Sequence, residues 1–228
     1  MGILFPPRCP FCDEVVPMGK DRICDFCIRK IELIKEPYCL KCGKKLANAS
    51  VEYCLDCLKY SHEFDAGRSL LGYKGVVRKS LYRFKYSGRA EYAKAYAMLA
   101  ERELGEFVRK VAPDAFVPVP LHPKRYKKRG YNQAELFAQE LSRIFDIPVR
   151  SGYVRRIRNT IPLKTLERVE RQNNLKKAFK INENDVKLNT IIVVDDIYTT
   201  GSTMDALSYV MRQAGVSKIF FLTISGGK

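Results

Sequence analysis

Residues 191–203 read IIVVDDIYTTGST, and this stretch decides the fold. Four consecutive β-branched residues predict a buried parallel strand, because strands covered on both faces have continuous apolar sequences. Two acids, Asp195 and Asp196, follow the apolar run, and a helical pattern begins near Met204 after a short polar loop. The stretch therefore predicts a strand, a loop and a helix, with two carboxylates at the edge where open α/β sheets bind ligands.

The loop after the two acids has the composition of an anion-binding site. Gly201 allows the backbone to approach a phosphate closely, and the N–H groups at the start of a helix favour negative charge. The loop hydroxyls add hydrogen-bond donors, and they belong to Thr199, Thr200, Ser202 and Thr203. Phosphate donors beside two acidic acceptors indicate a phosphorylated sugar with free hydroxyls. The alternative is purely structural, with Thr200 or Ser202 capping the helix.

These thirteen residues resemble the phosphoribosyl pyrophosphate (PRPP) loop of type I phosphoribosyltransferases. The resemblance implies that Asp195 and Asp196 hold the 2′- and 3′-hydroxyls of the ribose, and that residues 199–203 hold its 5′-phosphate. It also implies that Mg²⁺ binds together with PRPP. Purine-salvage members of that family have a carboxylate where this chain has Thr199, so purine salvage is disfavoured.

The positive charge of the chain is concentrated after residue 64. The formal net charge is +16; residues 1–64 hold 10 Lys and Arg against 9 Asp and Glu, whereas residues 65–228 hold 31 against 16. Such a field favours phosphorylated metabolites, nucleic acid or anionic lipid as partners, or it serves solubility alone. No apolar run approaches the roughly 20 residues of a membrane span, and residues 1–9 lack the pattern of a signal peptide. The sequence predicts a cytoplasmic protein, either free or at the inner face of the membrane.

All eight cysteines lie within the first 57 residues, in four C-x2-C pairs that start 15 residues apart. Two such pairs supply the four thiolates of a tetrahedral structural zinc site, so two zinc sites are predicted. Neighbouring pairs close shorter loops than interleaved pairs, and this favours sequential pairing. Disulfides and iron–sulfur ligation are the alternatives, disfavoured by a reducing cytosol and by the regular spacing. The predicted ligands are Cys9, Cys12, Cys24 and Cys27 in unit one, and Cys39, Cys42, Cys54 and Cys57 in unit two.

The cysteine-rich residues 1–64 are predicted to form a small double zinc ribbon. About 60 residues bury too little apolar surface to fold securely alone, and the metals supply the missing stability. Four thiolates and one Zn²⁺ carry a net charge of −2, so this domain has a charge of −3 with both metals bound. A negative ribbon is a poor nucleic-acid binder, and it is expected to dock onto the basic remainder or onto a protein partner.

The remainder, residues 65–228, alternates predicted strands and helices, which is typical of an α/β domain with a parallel sheet. Residues 61–66 are expected to be a short connector. The predicted strands are residues 68–73, 115–120, 147–150, 191–194 and 218–225. The predicted helices are residues 76–86, residues 92–111, one that ends near residue 145 and one that begins near residue 204.

Two basic segments flank the expected ligand site. Five of the six residues 124–129 are cations, and residues 155–180 hold nine Lys and Arg against two acids. The first segment is predicted to be a loop at the carboxyl end of a strand, where such sites are built, although a solvated face would have the same composition. Tyr126 and Tyr131 are candidate stacking platforms, so the segment is expected to bind single-stranded DNA without sequence preference. The candidate DNA-binding cations are Lys124, Arg125, Lys127, Lys128 and Arg129.

Over nearly its whole length the chain resembles the ComF/ComFC family, which is associated with DNA uptake in natural competence. The shared features are the double zinc ribbon, FKYSGR at 84–89, VPVPLHPKRYKKRGYNQA at 117–134, R-x-x-N-T at 156–160 and VVDDIYTTGST at 193–203. The resemblance implies partners among DNA-uptake proteins, such as a competence helicase, that contact the zinc ribbon. It further implies a pyrophosphate loop and a mobile loop that closes over PRPP. The implied pyrophosphate residues are Leu121, His122, Lys124 and Arg125, and the implied mobile-loop residues are Arg155, Arg156 and Arg158.

The sequence is compatible with two functions. The first is a phosphoribosyltransferase, whose basic loops stabilise the leaving pyrophosphate while an acceptor attacks C1 of the ribose. The second is a binding protein that holds PRPP while its basic face holds single-stranded DNA, and the fold alone does not decide between them. We predict a PRPP-binding, phosphoribosyltransferase-like protein of DNA uptake; a metabolic, amidophosphoribosyltransferase-like enzyme with no role in DNA handling is the alternative.

Overall fold

A parallel four-stranded sheet organises the chain after the cysteines. The computed structural model describes residues 6–17, 22–157, 178–182 and 187–227. The order across the sheet confirms four of the predicted strands, and a separate antiparallel pair lies beside it. The sheet is ordered β1-β6-β5-β2, where β1 is Ala66–Gly72, β2 is Ala115–Pro118, β5 is Thr190–Tyr198 and β6 is Lys218–Gly226, and the antiparallel pair is β3 (Val154–Arg156) with β4 (Phe179–Ile181). The strand predicted at 147–150 is reduced to one parallel bridge, between Val149 and Phe116 of β2.

The helices have the expected amphipathic burial. Their bounds in the described ranges are α1 (Asp25–Ile28), α2 (Leu55–Lys59), α3 (Gly75–Tyr86), α4 (Tyr92–Val111), α5 (Pro123–Arg129), α6 (Gln133–Phe145) and α7 (Ser202–Gln213). On α4, whose bounds match the prediction, Tyr92, Tyr96 and Leu99 recur at helical spacing and are buried. Among the helices that the structure describes, none combines the length and the apolar character required to cross a lipid bilayer.

Alternate residues of β5 divide the core into two layers, because successive side chains of a strand point to opposite faces. Ile192 and Val194 pack with α3, α4 and α6, whereas Ile191 and Val193 pack with α7 and the β3–β4 pair. Each layer also takes in one cysteine unit: residues of unit one join the first layer and residues of unit two join the second. The zinc ribbon is thus packed against both faces of the sheet domain.

The segment 61–66, expected to be a connector, is part of the second layer. Phe64 is 1% exposed and meets the ring of Phe221 edge-on, with the ring centroids 4.9 Å apart. His62 stacks on Phe64 at 4.7 Å. Two aromatic side chains with this much apolar surface are stabilised by burial, so the chain does not run over the surface here. The division into residues 1–64 and 65–228 stays a prediction.

The basic segment 124–129 is a short helix, α5, and the loop prediction for it is wrong. Pro123 occupies the first turn, and His122 accepts a hydrogen bond from the backbone N–H of Lys124 at 3.3 Å. Gly130 ends the helix at a φ of 81°. The cations of the last turn are favourably placed at the negative end of the helix dipole.

The predicted mobile loop also begins in regular structure. Arg155 and Arg156 belong to β3, which pairs with β4 through Arg155 opposite Lys180. Val154 and Phe179 are buried and anchor the two strands to the second layer. Arg155 and Arg156 thus lie on a strand, Arg158 lies outside the described residues, and the mobile loop over PRPP stays a prediction.

Candidate functional site

The eight cysteines form two clusters with the sequential pairing that was predicted. In each cluster the four Sγ atoms lie within 4.8 Å of one another. The Sγ atoms of Cys12 and Cys24 are 3.8 Å apart, and those of Cys42 and Cys54 are 3.6 Å apart. A tetrahedral zinc site with Zn–S bonds of about 2.3 Å has sulfur–sulfur separations of about 3.8 Å. The spacing fits zinc, and all eight cysteines are free rather than disulfide-bonded.

The thiols of these clusters are difficult to ionise without a bound cation. Burial raises the pKa of Cys42 to about 12, and the negative charges of Cys39 and Cys54 contribute to the rise. Burial likewise raises the pKa of Cys27 and Cys57. Four crowded thiols ionise together only when a metal compensates their charge, which Zn²⁺ would do here. Each cluster supplies all four ligands, so both sites are structural.

The two acids of the central strand lie inside β5 rather than after it. Pairing of β5 with β6 continues to Tyr198, and it includes Asp195 opposite Thr223. Strand alternation sends Asp195 and Asp196 to opposite faces of the sheet. Asp196 forms an ion pair with Lys85 of α3, and the backbone N–H of Asp196 donates to Oδ1 of Asp195 at 2.8 Å. The carboxylates therefore have different surroundings.

Burial and neighbouring charges shift the pKa values of Asp195 and Lys85. Burial raises the pKa of Asp195 well above its ordinary value, and the charge of Asp196 adds to this, against the opposing charge of Lys85. For Lys85, burial alone would lower the pKa, but the charge and hydrogen bond of Asp196 outweigh it and raise the pKa. Lys85 and Asp196 thus form a fixed pair, whereas Asp195 is a partly buried carboxyl that binds a proton or a cation readily.

Two of the predicted cations reach this edge of the sheet. Burial lowers the pKa of Arg156, the nearby charge of Arg125 adds to the lowering, and the charge of Asp195 opposes it. Side chains from α5, β3 and β5 therefore converge at the carboxyl end of β5. Leu121 and His122 connect β2 to α5 at the same edge. The exposed cations nearby are Lys124, Lys127, Lys128 and Arg155.

The predicted phosphate loop runs from β5 to the start of α7. Gly201 is the N-cap residue with a φ of 81°, and as a glycine it has no side chain of its own to cap the helix. Thr200 and Ser202 meet each other, with their hydroxyl oxygens 3.0 Å apart. The structural alternative, in which Thr200 or Ser202 caps the helix, stays open. The backbone N–H groups in the first turn of this twelve-residue helix favour a negative charge nearby.

Gly201 is required here for space as well as for its backbone conformation. A Cβ atom at this position would lie 2.8 Å from Oη of Tyr198 and 3.0 Å from Cε1 of His62. His62, 1% exposed, brings Nδ1 to 3.0 Å from both carboxylate oxygens of Asp205 in the first turn of α7. The loop thus rests on a buried pair that joins the zinc-ribbon side of the chain to the helix.

Sequence reasoning missed Lys85, His62 and Asp205. Lys85 lies in the FKYSGR segment, which carried the family resemblance but no assigned role. His62 and Asp205 are 143 residues apart, and neither lies in a local pattern that predicts pairing. Tyr131 was predicted to be a stacking platform, and this is wrong: its hydroxyl donates to the carbonyl of Phe84 at 2.6 Å and its ring packs against the first layer. Tyr126 is 49% exposed, and its role as a stacking platform stays a prediction.

Comparison with known proteins gives two matching domain families. Residues 1–58 match the double zinc ribbon domain, and residues 132–225 match the phosphoribosyl transferase domain. With the two cysteine clusters and the parallel sheet, these matches confirm the predicted fold class, a type I phosphoribosyltransferase-like α/β sheet with a small zinc ribbon before it.

Three relatives match part of the chain. Competence protein F of Haemophilus influenzae is 41% identical over 109 residues, which are 47% of this chain and 48% of that protein. DNA utilization protein YhgH of Salmonella typhi is 30% identical over 154 residues, 66% of this chain and 67% of that protein. Competence protein ComFC of Bacillus subtilis is 30% identical over 159 residues, 65% of this chain and 58% of that protein. The matches thus span about half to two thirds of the length of these relatives.

Proposed function

Because the chain belongs to the family of competence protein F, ComFC and YhgH, we propose that it acts in DNA uptake. In this proposal it binds PRPP at the carboxyl edge of the sheet and single-stranded DNA on the adjoining basic surface. The observation that carries the proposal is the convergence of Asp195, Arg156 and the start of α7 at one edge. That edge offers acceptors for sugar hydroxyls beside donors for phosphates.

The proposed PRPP contacts follow the chemistry of each group. Thr199, Thr200, Ser202 and Thr203 surround the start of α7 and would hold the 5′-phosphate, with Gly201 giving the close approach. Asp195 and Asp196 would accept hydrogen bonds from the ribose hydroxyls. The pyrophosphate would lie among cations and backbone N–H groups at the start of α5 and on β3. The residues proposed for it are Leu121, His122, Lys124, Arg125 and Arg156.

Mg²⁺ fits this edge. Carboxylate and phosphate oxygens are the ligands that it prefers, and the Asp195 carboxyl, whose pKa burial raises, gains most from a cation. When bound, Mg²⁺ would neutralise part of the pyrophosphate charge. Lys85 keeps Asp196 ionised and oriented, and Arg125 and Arg156 supply the remaining positive charge.

The DNA-binding part of the proposal rests on α5. Its exposed side chains include Lys124, Lys127, Lys128 and the 49% exposed Tyr126. Cations beside an exposed ring are the composition of sequence-independent single-strand binding. Because α5 also borders the pyrophosphate region, PRPP and DNA should compete for part of this surface.

The zinc ribbon is proposed to contact a protein of DNA uptake, such as a competence helicase. Leu55 and Leu58 of α2 are 84% and 67% exposed, and Phe26 of α1 is 60% exposed. Large apolar side chains left at the surface of a small domain favour contact with another protein. The proposed location is the cytoplasm, including the inner face of the membrane.

Thermal unfolding in the presence of PRPP and Mg²⁺ tests whether the protein binds PRPP. Titration with a labelled oligonucleotide at several salt concentrations tests whether it binds DNA. PRPP should raise the melting temperature, and the double variant Asp195→Asn, Asp196→Asn should not respond. Lys127→Gln with Lys128→Gln should weaken DNA binding and flatten its salt dependence, by about 0.7 in slope for each phosphate that the variant no longer neutralises. Lys94→Gln, an exposed cation on α4, is the matched control.

The outcomes separate the two functions. If DNA competes with PRPP for the protein and no pyrophosphate is released from PRPP, the result supports the binding-protein function. Pyrophosphate release with some acceptor, together with no DNA binding at low salt, supports the metabolic enzyme instead. A double aspartate variant that responds to PRPP as the parent does would refute the proposed sugar site.

A further inference from the structure

A groove beside Lys85 has no part in the contacts proposed above. It is a cavity of about 520 Å³ between α3 and the carboxyl ends of β1 and β5. Ligands of open α/β sheets bind in crevices at this edge. The side chains that the argument uses are Tyr73, Arg78, Lys79, Tyr82, Lys85 and Tyr86, and we call this cavity the tyrosine groove.

One ridge of α3 forms a wall of the tyrosine groove. Arg78, Tyr82 and Tyr86 are spaced four residues apart, so they lie on one face of the helix. Tyr82 is 63% exposed and Tyr86 is 49% exposed, with their ring centroids 5.0 Å apart at an interplanar angle of 48°. Neither ring is buried in the core, although each has a large apolar face that a planar ligand could cover.

The groove is cationic around these rings. Arg78 and Lys79 are exposed, Lys85 also lines the cavity and is paired with Asp196, and no Asp or Glu is found among the described residues that line it. Arg129 of α5 reaches over Tyr86, 4.9 Å from the ring centroid, and donates to its hydroxyl at 3.1 Å. The tyrosine ridge is therefore continuous with the basic helix α5.

Arg83, which also lines the cavity, is held in place by cysteine unit one. Its Nη2 donates to the carbonyls of Pro10 and Phe11 at 3.1 and 2.8 Å, which fixes the guanidinium beside the cavity. Its Nε is buried and has no hydrogen-bond partner within the part of the chain that the structure describes.

We propose that the tyrosine groove binds the base and phosphate of a nucleotide unit. The base stacks on Tyr82 and Tyr86, since every nucleobase has a π-face, and the phosphate contacts Arg78 and Lys79. The nucleotide belongs either to single-stranded nucleic acid that continues onto α5 or to a free nucleotide, and the chemistry of recognition is the same. The single-strand case rests on the DNA-binding part of the proposed function, and the free-nucleotide case does not.

The absence of tryptophan from the chain allows a direct optical test. Tyr82→Trp introduces a single indole into the groove. A thymidine oligonucleotide should quench its fluorescence, and an oligonucleotide of equal length with abasic sites should not, because the two differ only in their bases. Free thymidine monophosphate is the third probe. Quenching by the monophosphate alone assigns the groove to a free nucleotide, and equal responses to the thymidine and abasic strands would overturn the proposal.

Affinity measurements on the natural tyrosines complete the test. Tyr82→Ala and Tyr86→Ala should each weaken oligonucleotide binding about tenfold with an unchanged salt slope, because a stacking surface is lost and no charge is removed. Tyr82→Phe should bind as the parent does. Tyr53→Ala, which removes a 40% exposed tyrosine from the zinc ribbon, is the matched control and should have no effect.

The failure of this inference differs from the failure of the proposed function. If the α5 variants weaken DNA binding and the tyrosine variants do not, DNA binding stands and the nucleobase groove is refuted. If the parent binds neither the oligonucleotide nor the monophosphate, the groove is refuted, and the melting response to PRPP still tests the sugar site separately.

Discussion

The two cysteine units share a backbone but dock onto the sheet domain in different ways. In each unit the residue after the first C-x2-C pair has a φ of 68°: it is Asp13 in unit one and Gly43 in unit two. Its N–H donates to the carbonyl of the first cysteine at 2.8 Å in both. The repeated sequence therefore gives a repeated turn, and the left-handed position is filled once by an acid and once by glycine.

That residue takes part in the docking of each unit. The carboxylate of Asp13 accepts hydrogen bonds from Tyr92 at 2.6 Å and from Arg89 at 2.7 Å, so unit one is attached through a side chain. A Cβ on Gly43 would lie 2.6 Å from the carbonyl oxygen of Gly67, so unit two is attached through close contact of two backbones. The same turn position thus serves a side-chain contact in unit one and a backbone contact in unit two.

Each unit supports one half of the candidate site. Unit one lies against α3, since Ser80 and Arg83 both donate to the carbonyl of Pro10, and α3 carries Lys85 and the tyrosine groove. Unit two lies near the phosphate loop: burial raises the pKa of Tyr198, and the charges of Cys42 and Cys57 contribute. The halves should therefore respond to different changes in the ribbon.

Loss of a zinc ligand should have the largest effect. Cys12→Ser and Cys42→Ser should each reduce the zinc content from two ions to one per chain, because a structural site rarely persists with three protein ligands. Cys42→Ser should diminish the thermal response to PRPP, and Cys12→Ser should diminish quenching in the tyrosine groove. Elemental analysis and the two binding assays measure these effects.

The crossed assays are the controls for this pair. Each variant should retain most of the response that belongs to the other half of the site. If both variants lose both responses equally, the ribbon acts as one unit and the division between its halves is wrong.

The close contact of unit two predicts the next largest effect. Gly43→Ala forces a Cβ into the backbone of Gly67 at a left-handed residue, and it should lower the free energy of unfolding by about 2–4 kcal/mol, the sum of overpacking and backbone strain. Gly88→Ala has nearly the same φ, 66°, with nothing within 4 Å of the added atom. In this control variant the free energy of unfolding should fall only by the backbone strain, about 1 kcal/mol. If urea unfolding gives the same loss of unfolding free energy for Gly43→Ala and Gly88→Ala, glycine is needed at position 43 for its φ alone.

Local patterns in the sequence predicted the strands, the cysteine clusters and the position of Asp195, because each depends on neighbouring residues. The α5 helix was also signalled, by Pro123 and Gly130 at its ends, but its position directly after a strand favoured a loop. Pairs such as Lys85 with Asp196 depend on how α3 packs against the sheet, which no local pattern contains. The same holds for which tyrosines are exposed, and this is why Tyr131 was chosen and Tyr82 was not.

The side chain that attaches unit one predicts a smaller effect. Asp13→Ala should lower the free energy of unfolding by about 2 kcal/mol, since the buried Tyr92 hydroxyl and Arg89 lose their acceptor. Burial alone would raise the pKa of Asp13, but hydrogen bonds from Tyr92 and Arg89 outweigh it and lower the pKa. Asp13→Asn keeps an acceptor for Tyr92 and should cost less. A loss in the asparagine variant as large as in the alanine variant would mean that the charge on Asp13 is the whole contribution.

The smallest effect, and one of opposite sign, is expected in the half of the site that unit two supports. Because the folded-state pKa of Asp195 is raised, its contribution to stability is present below the unfolded pKa of about 4 and is lost as the pH rises through the folded pKa. Asp195→Asn should therefore stabilise the ligand-free protein at pH 8, by about 0.5–2 kcal/mol, while abolishing the response to PRPP. The gain should be smaller at pH 5.5 than at pH 8, because the destabilising effect of a raised folded-state pKa diminishes as the pH falls toward the unfolded pKa. Urea unfolding at the two pH values measures it, and a variant less stable than the parent at pH 8 would mean that this carboxylate stabilises the fold rather than the ligand.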